Sequence, residues 1–195
     1  MLKQVMTAPG AIEFQEVDTP IPCSGQILLK VMKIGICGSD IHVYHGEHPF
    51  TSYPVTQGHE VSCEVVQLGE GVTGFTPGQK VTVEPQVVCG KCYPCSIGRT
   101  NCCTDLKVLG VHVEGGMAEY MVHPAEMLWK LPEDMPWNIA PIAEPLTIAL
   151  HGIHRGNLAA GEHVAIIGAG PIGLLAAMAA LAYGAVPIVI DVVDE

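Results

Sequence analysis

Charge is scarce in this chain, and basic charge is scarcer still. Of 195 residues only 15% are charged, with 9 Lys or Arg against 20 Asp or Glu and a formal net charge of −11. A protein whose main partner is a phosphate backbone needs basic side chains to release counterions, so the balance argues against nucleic acid. Aromatic residues are also few, at 5%, yet 49% of the residues are apolar. A chain this apolar and this poor in charge is not disordered. It has no internal repeat and no low-complexity tract. Its first fourteen residues lack both the apolar core and the small-residue cleavage site of a secretory signal. A cytoplasmic location is therefore expected. Thiols stay reduced there, so the eight cysteines do not read as a disulfide framework.

What is present changes in texture along the chain. Residues 27–34, 61–68 and 80–83 are β-branched runs bounded by glycine and proline, and they read as strands. The length allows one domain, or one and a part. The expected boundary lies near residues 150–161, dividing a first domain at 1–155 from a second at 156–195.

The second part contains no charged side chain from Val164 to Ile190. Twenty uncharged residues can span a bilayer, but four glycines and two prolines cut this run into strand, turn, helix, turn and strand. The expectation is a βαβ unit and no membrane span. Its turn, Gly168-Ala169-Gly170-Pro171-Ile172-Gly173, follows a strand (164–167) and opens a helix (174–183). Asp191 stands eighteen residues beyond Gly173. This is the context of a dinucleotide site. Gly168 permits the tight turn, Gly170 lets a pyrophosphate approach the backbone, and Gly173 lets helix and strand pack closely. Asp191 would accept hydrogen bonds from an adenosine ribose and repel a 2′-phosphate, which favours NAD over NADP.

Five cysteines crowd into fifteen residues: Cys89, Cys92, Cys95, Cys102 and Cys103. Crowding of this kind in a reducing compartment points to metal. Four thiolates close the coordination of a tetrahedral zinc, so such a site, in a lobe at about 85–108, would be structural. Spacing alone leaves Cys102 and Cys103 as alternatives for the fourth ligand. A nucleic-acid-binding zinc ribbon would need more basic residues than Lys91, Arg99 and Lys107 supply.

Two further fragments, Gly35-Ile36-Cys37-Gly38-Ser39-Asp40-Ile41-His42 and Gly58-His59-Glu60, stand before the cysteine lobe. With the lobe and the glycine loop, in this order, the chain resembles the zinc-dependent medium-chain dehydrogenase/reductase family. Within it the likeness is greatest to the sorbitol dehydrogenase branch and its bacterial polyol and sugar-acid relatives. The fold implied is mixed β and α/β: a GroES-like, β-rich catalytic domain with a zinc lobe, then the opening βαβ of a Rossmann NAD-binding domain. The resemblance selects Cys103 beside Cys89, Cys92 and Cys95 as the structural set. It implies a catalytic zinc on Cys37 and His59, with Glu60 and Glu144 binding the metal directly or through water. Ser39 and His42 would carry the proton relay, with Asp40 orienting its neighbours.

The activity implied is NAD-dependent oxidation of a small secondary alcohol, with two zinc ions per intact chain and a dimer or tetramer at full length. An L-threonine dehydrogenase-like enzyme and a non-catalytic zinc-stabilised binding module are the alternatives. The resemblance also implies that roughly a hundred residues of the NAD domain lie beyond position 195, so that these residues alone would be inactive and aggregation-prone. Two positions depart from the family pattern: Cys63, where glycine is usual, and Gln79, where an acid is common. His45, His48, His112, His123 and His163 are expected on the surface or in loops, and His151 and His154 in helix-end packing. Tyr44, Phe50 and Trp129 read equally as cleft or core residues.

Overall fold

Strands form where β-branched residues alternate between two faces. In the computed structural model, which describes residues 1–193, β1 (Leu2–Ala8) and β2 (Ala11–Glu16) pair antiparallel. The long β3 (Gln26–Ile34) leads into α1 (Gly38–His45), and then come β4 (Val61–Leu68) and β5 (Lys80–Val83). The lobe that follows holds β6 (Gln86–Val87), α2 (Tyr93–Ser96) and β7 (Lys107–Val108), and beyond it lie β8 (Tyr120–Pro124) and β9 (Leu128–Lys130).

Five of these strands make one antiparallel sheet in the order β8-β3-β4-β5-β9. Every second residue points into one core: Ile27 and Leu29 from β3, Val61, Cys63 and Val65 from β4, Val81 and Val83 from β5. Burying each of the larger side chains contributes about 1.5–3 kcal/mol. Cys63 belongs to this core and is fully buried. Burial pushes its thiol well above the ordinary range, so it behaves as a small apolar filler where the family pattern has glycine. Gln79 accepts the Thr76 N–H at 3.4 Å and so braces its own turn.

His123 departs from expectation. It lies on the inward face of β8, 1% exposed, and its Nε2 donates to the Glu84 carbonyl at 3.0 Å. Lone-histidine spacing hid this, although Met121 and His123 share the inward parity of their strand. Tyr44, Phe50 and Trp129 are exposed.

The chain forms two compact units, Met1–Pro141 and Ile142–Glu195. The second unit begins with α3 (Ala143–Arg155), followed by β10 (His163–Ile167), α4 (Pro171–Ala182) and β11 (Val186–Ile190). The sequence texture changes only after α3, but α3 packs on α4 through Ile153, Ala179 and Ala180. His154 is tied to the Tyr183 hydroxyl within the same unit. Strands β10 and β11 run parallel, from His163 opposite Val186 to Ile167 opposite Ile190. An uninterrupted apolar run predicts strands covered on both faces. Ile167 nevertheless remains 88% exposed, because the sheet has only two strands among the described residues. No helix among them is long and apolar enough to cross a membrane.

Candidate metal centres and dinucleotide loop

The cysteine lobe is closed at its base by two ladder pairs, Gln86 opposite Val108 and Val87 opposite Lys107. Cys92 caps α2, and a 3₁₀ turn at Thr100–Cys102 ends on Cys103. These turns bring Cys89, Cys92, Cys95 and Cys103 together, their sulfurs all within 4.8 Å of one another. A regular tetrahedron with bonds of about 2.3 Å has edges of about 3.8 Å. The Cys92–Cys95 and Cys92–Cys103 separations, 3.4 and 3.9 Å, bracket that length. Cys102 is exposed and outside the group.

The lobe also favours the thiolate at two of the four positions. The Cys89 and Asp105 N–H groups donate to the Cys103 sulfur, each at 3.4 Å, and hold that thiol below its ordinary value. The Thr104 N–H leads in drawing Cys92 down to about 6. Desolvation, followed by the hydrogen bond with Cys92, pushes Cys95 up to about 12. Four converging sulfurs, two of them drawn toward the thiolate, are a set that a zinc ion fits.

A second group is built from two segments of the first unit. Cys37 is the N-cap of α1, and His59 and Glu60 lie just ahead of β4. Their ligand atoms also lie within 4.8 Å of one another. Gly35 allows the approach. A Cβ on it would stand 2.1 Å from Glu60 Oε2, and its N–H donates to the Glu60 carbonyl at 2.7 Å. The hydrogen bond with His59 is the leading cause holding the Cys37 thiol below its ordinary value, and Ser39 adds a smaller effect. Burial pushes the Glu60 carboxyl up. Thiolate, imidazole and carboxylate fit a zinc that retains an exchangeable position.

The other expected residues are spread over both units. Ser39 lies beside Cys37 in the first turn of α1. His42 is exposed further along that helix, its Nδ1 3.3 Å from Glu47 Oε2. Glu47 was not singled out by the sequence, since an exposed acid five residues away carries no motif. Asp40 is buried, and its Oδ2 accepts the Cys37 N–H at 2.9 Å. Glu144 belongs to the second unit, in the first turn of α3.

The glycine loop lies wholly in the second unit. Gly168 adopts φ +103° and donates to the Ile190 carbonyl at 2.7 Å. Gly170 is the N-cap of α4, Pro171 opens it, and Ile172 is exposed. A Cβ on Gly170 would meet no atom within 4 Å, which leaves the backbone approachable. One on Gly173 would stand 1.8 Å from the Gly168 oxygen, so no larger residue fits that packing. Asp191 Oδ2 accepts the Ala169 N–H at 2.5 Å, while Oδ1 accepts those of Val192 and Val193. These bonds, led by that from Ala169, hold its carboxyl below the ordinary range. It thus braces the loop from the end of β11.

Residues 23–133, more than half of the chain, match the alcohol dehydrogenase GroES-like domain. The chain belongs to that family. A zinc-type alcohol dehydrogenase-like protein of Haemophilus influenzae is 50% identical over 96% of this chain and 55% of its own length. L-galactonate-5-dehydrogenase of Escherichia coli is 42% identical over 94% of the chain and 54% of its own length. The crystal structure of RspB, an alcohol dehydrogenase of Escherichia coli CFT073 complexed with NADH, superposes with a TM-score of 0.93 at 41% identity. That likeness covers 100% of this chain and 57% of the RspB chain. The chain thus spans about half the length of the alcohol dehydrogenase relatives it matches.

Proposed function

We propose that the protein is a zinc- and NAD-dependent dehydrogenase that takes hydride from a secondary alcohol: a polyol, a sugar acid or a related hydroxy compound. The observation that carries this reading is the mixed Cys37, His59 and Glu60 cluster, which offers a metal three ligands and leaves room for an exchangeable fourth. The resemblance adds Glu144 as a further carboxylate for that metal or its water. Cys89, Cys92, Cys95 and Cys103 would hold a second, structural zinc.

Bound zinc supplies Lewis acidity that lowers the pKa of a substrate hydroxyl toward neutrality. The chain's own part is to bind, orient and move a proton. Ser39 would accept the hydroxyl proton as it gives up its own toward His42, which is exposed beside Glu47 and would release a proton to solvent. Gly168, Gly170, Pro171, Ile172 and Gly173 form the turn on which a pyrophosphate sits, at the N-terminus of α4. Asp191, held ionised by backbone N–H groups, accepts from the ribose and disfavours a 2′-phosphate. A reducing cytoplasm and a dimeric or tetrameric full-length enzyme complete the reading.

The test combines metal analysis with substrate screening. Two zinc ions per chain are expected, and Cys37→Ser should remove one of them. A single ion insensitive to Cys37→Ser would refute the catalytic centre. At full length, a panel of polyols, hexonates and threonine is expected to yield NADH with at least one secondary alcohol. Asp191→Ala should weaken NAD far more than NADP, and equal losses would remove that role from Asp191.

A further inference from the structure

Gln57 stands two residues before His59 and is 2% exposed. Its side-chain Nε2 donates to the Asp40 carbonyl at 3.0 Å and to Asp40 Oδ1 at 3.3 Å. Asp40, 5% exposed, uses its other carboxylate oxygen to accept the Cys37 N–H at 2.9 Å. A buried hydrogen-bonded chain therefore runs from the segment bearing His59 and Glu60 to the residue bearing the Cys37 thiol. It bypasses every ligand atom.

The Gln57 end of this chain is itself anchored. The Gly115, Met117 and Gly116 N–H groups donate to the Thr56, Gln57 and Gly58 carbonyls at 2.7, 2.9 and 2.8 Å. The strut is thus fixed to the backbone of Gly115, Gly116 and Met117. The Gly35 to Glu60 backbone bond also joins the two ligand segments, acting at Glu60, and the Cys37 thiol hydrogen-bonds with His59 across them, but both of these ties involve a ligand residue itself.

We propose that Gln57 is a positioning residue: through Asp40 it sets the separation of Cys37 from His59 and Glu60, and with it the zinc affinity of that centre. The inference rests on the zinc reading of that cluster. Outer partners that orient ligands are worth about 10–100-fold in metal affinity, and a loss in that range is expected when both donations are removed.

Gln57→Met keeps the length of the side chain and abolishes the two hydrogen bonds. The measurement is chelator-competition titration of the 195-residue chain with zinc, repeated with cobalt(II), whose d–d spectrum reports the ligand geometry. The wild-type chain should take up two ions. In Gln57→Met the ion lost on Cys37→Ser should bind about 10–100-fold more weakly, with a shifted cobalt spectrum, while the four-cysteine lobe keeps its affinity. Wild-type affinity and an unchanged cobalt spectrum in Gln57→Met would overturn the inference. So would a parallel weakening of both sites, which is what a merely structural role produces. Uptake of one ion only by the wild-type chain overturns the zinc reading itself, and the inference with it. Should Gln57→Met fail to fold, Gln57→Leu decides: it is smaller, uncharged and cannot donate, and it should show the same selective loss.

Discussion

Acid should destabilise the first unit through His123. Burial lowers its pKa from 6.5 to about 4, against a smaller opposing effect of the Glu84 carbonyl. The unfolded chain therefore takes up a proton in a range where the folded chain does not, and stability falls as pH falls. The loss is negligible above about pH 7.5, begins near 6.5 and levels off below about 4. A difference of 2.5 pKa units corresponds to about 3.4 kcal/mol in full, of which about 2 kcal/mol is lost between pH 7.5 and pH 5. Urea unfolding followed by tryptophan fluorescence reads this cleanly. The chain has two tryptophans, Trp129 and Trp137, and both belong to the first unit. Trp129 lies on β9 of the sheet that contains β8. Other groups, Cys92 at about 6 among them, titrate in the same range. The informative quantity is therefore the difference from His123→Gln, whose amide can still donate to Glu84 but does not titrate. The variant should lack about 2 kcal/mol of the fall between pH 7.5 and pH 5. Identical pH slopes for the two proteins would refute the reasoning.

Gly35→Ala adds a methyl 2.1 Å from Glu60 Oε2, so it should lower zinc affinity at the Cys37 centre and spare the lobe; competitive titration checks both sites at once. Gly173→Ala brings a Cβ to 1.8 Å from the Gly168 oxygen. It should force α4 off the turn, seen as lost NADH binding at full length and faster amide exchange across α4 in the 195-residue chain. Cys95→Ser removes one of four thiols from the lobe and should abolish its zinc while the Cys37 centre still loads, giving one ion per chain by metal analysis. Leu29→Ala empties a fully buried position in the main core and should cost about 2–5 kcal/mol in urea unfolding.

The strands and the glycine turn were largely legible, and the reasons are local. The bounds of β4 and β5 coincide with the β-branched runs at 61–68 and 80–83, because glycine and proline close both ends. Helix α4 starts three residues before the apolar run suggests, since proline suits a first helical turn whose N–H has no partner. The division at Pro141 was not legible, because it depends on which helix α3 packs against and not on composition. Choosing between Cys102 and Cys103 likewise needs the 3₁₀ turn that points one inward and the other out.

The same contrast governs the candidate centres. A ligand must supply a particular atom, so only cysteine, histidine or a carboxylate serves, and spacing exposes it. A positioning group need only hold a distance, and many side chains can do that. Gln57 reaches Asp40 across seventeen residues of sequence with an ordinary amide, and no motif marks the pair. Gly35 stands within a recognisable fragment, yet what it does there, making room for the Glu60 carboxylate, exists only once β3 and the approach to β4 are side by side. Sequence thus reveals the chemistry of such a centre before it reveals the geometry that tunes it. Substitutions at Gln57 and Gly35 are where that geometry can be altered with every ligand atom retained.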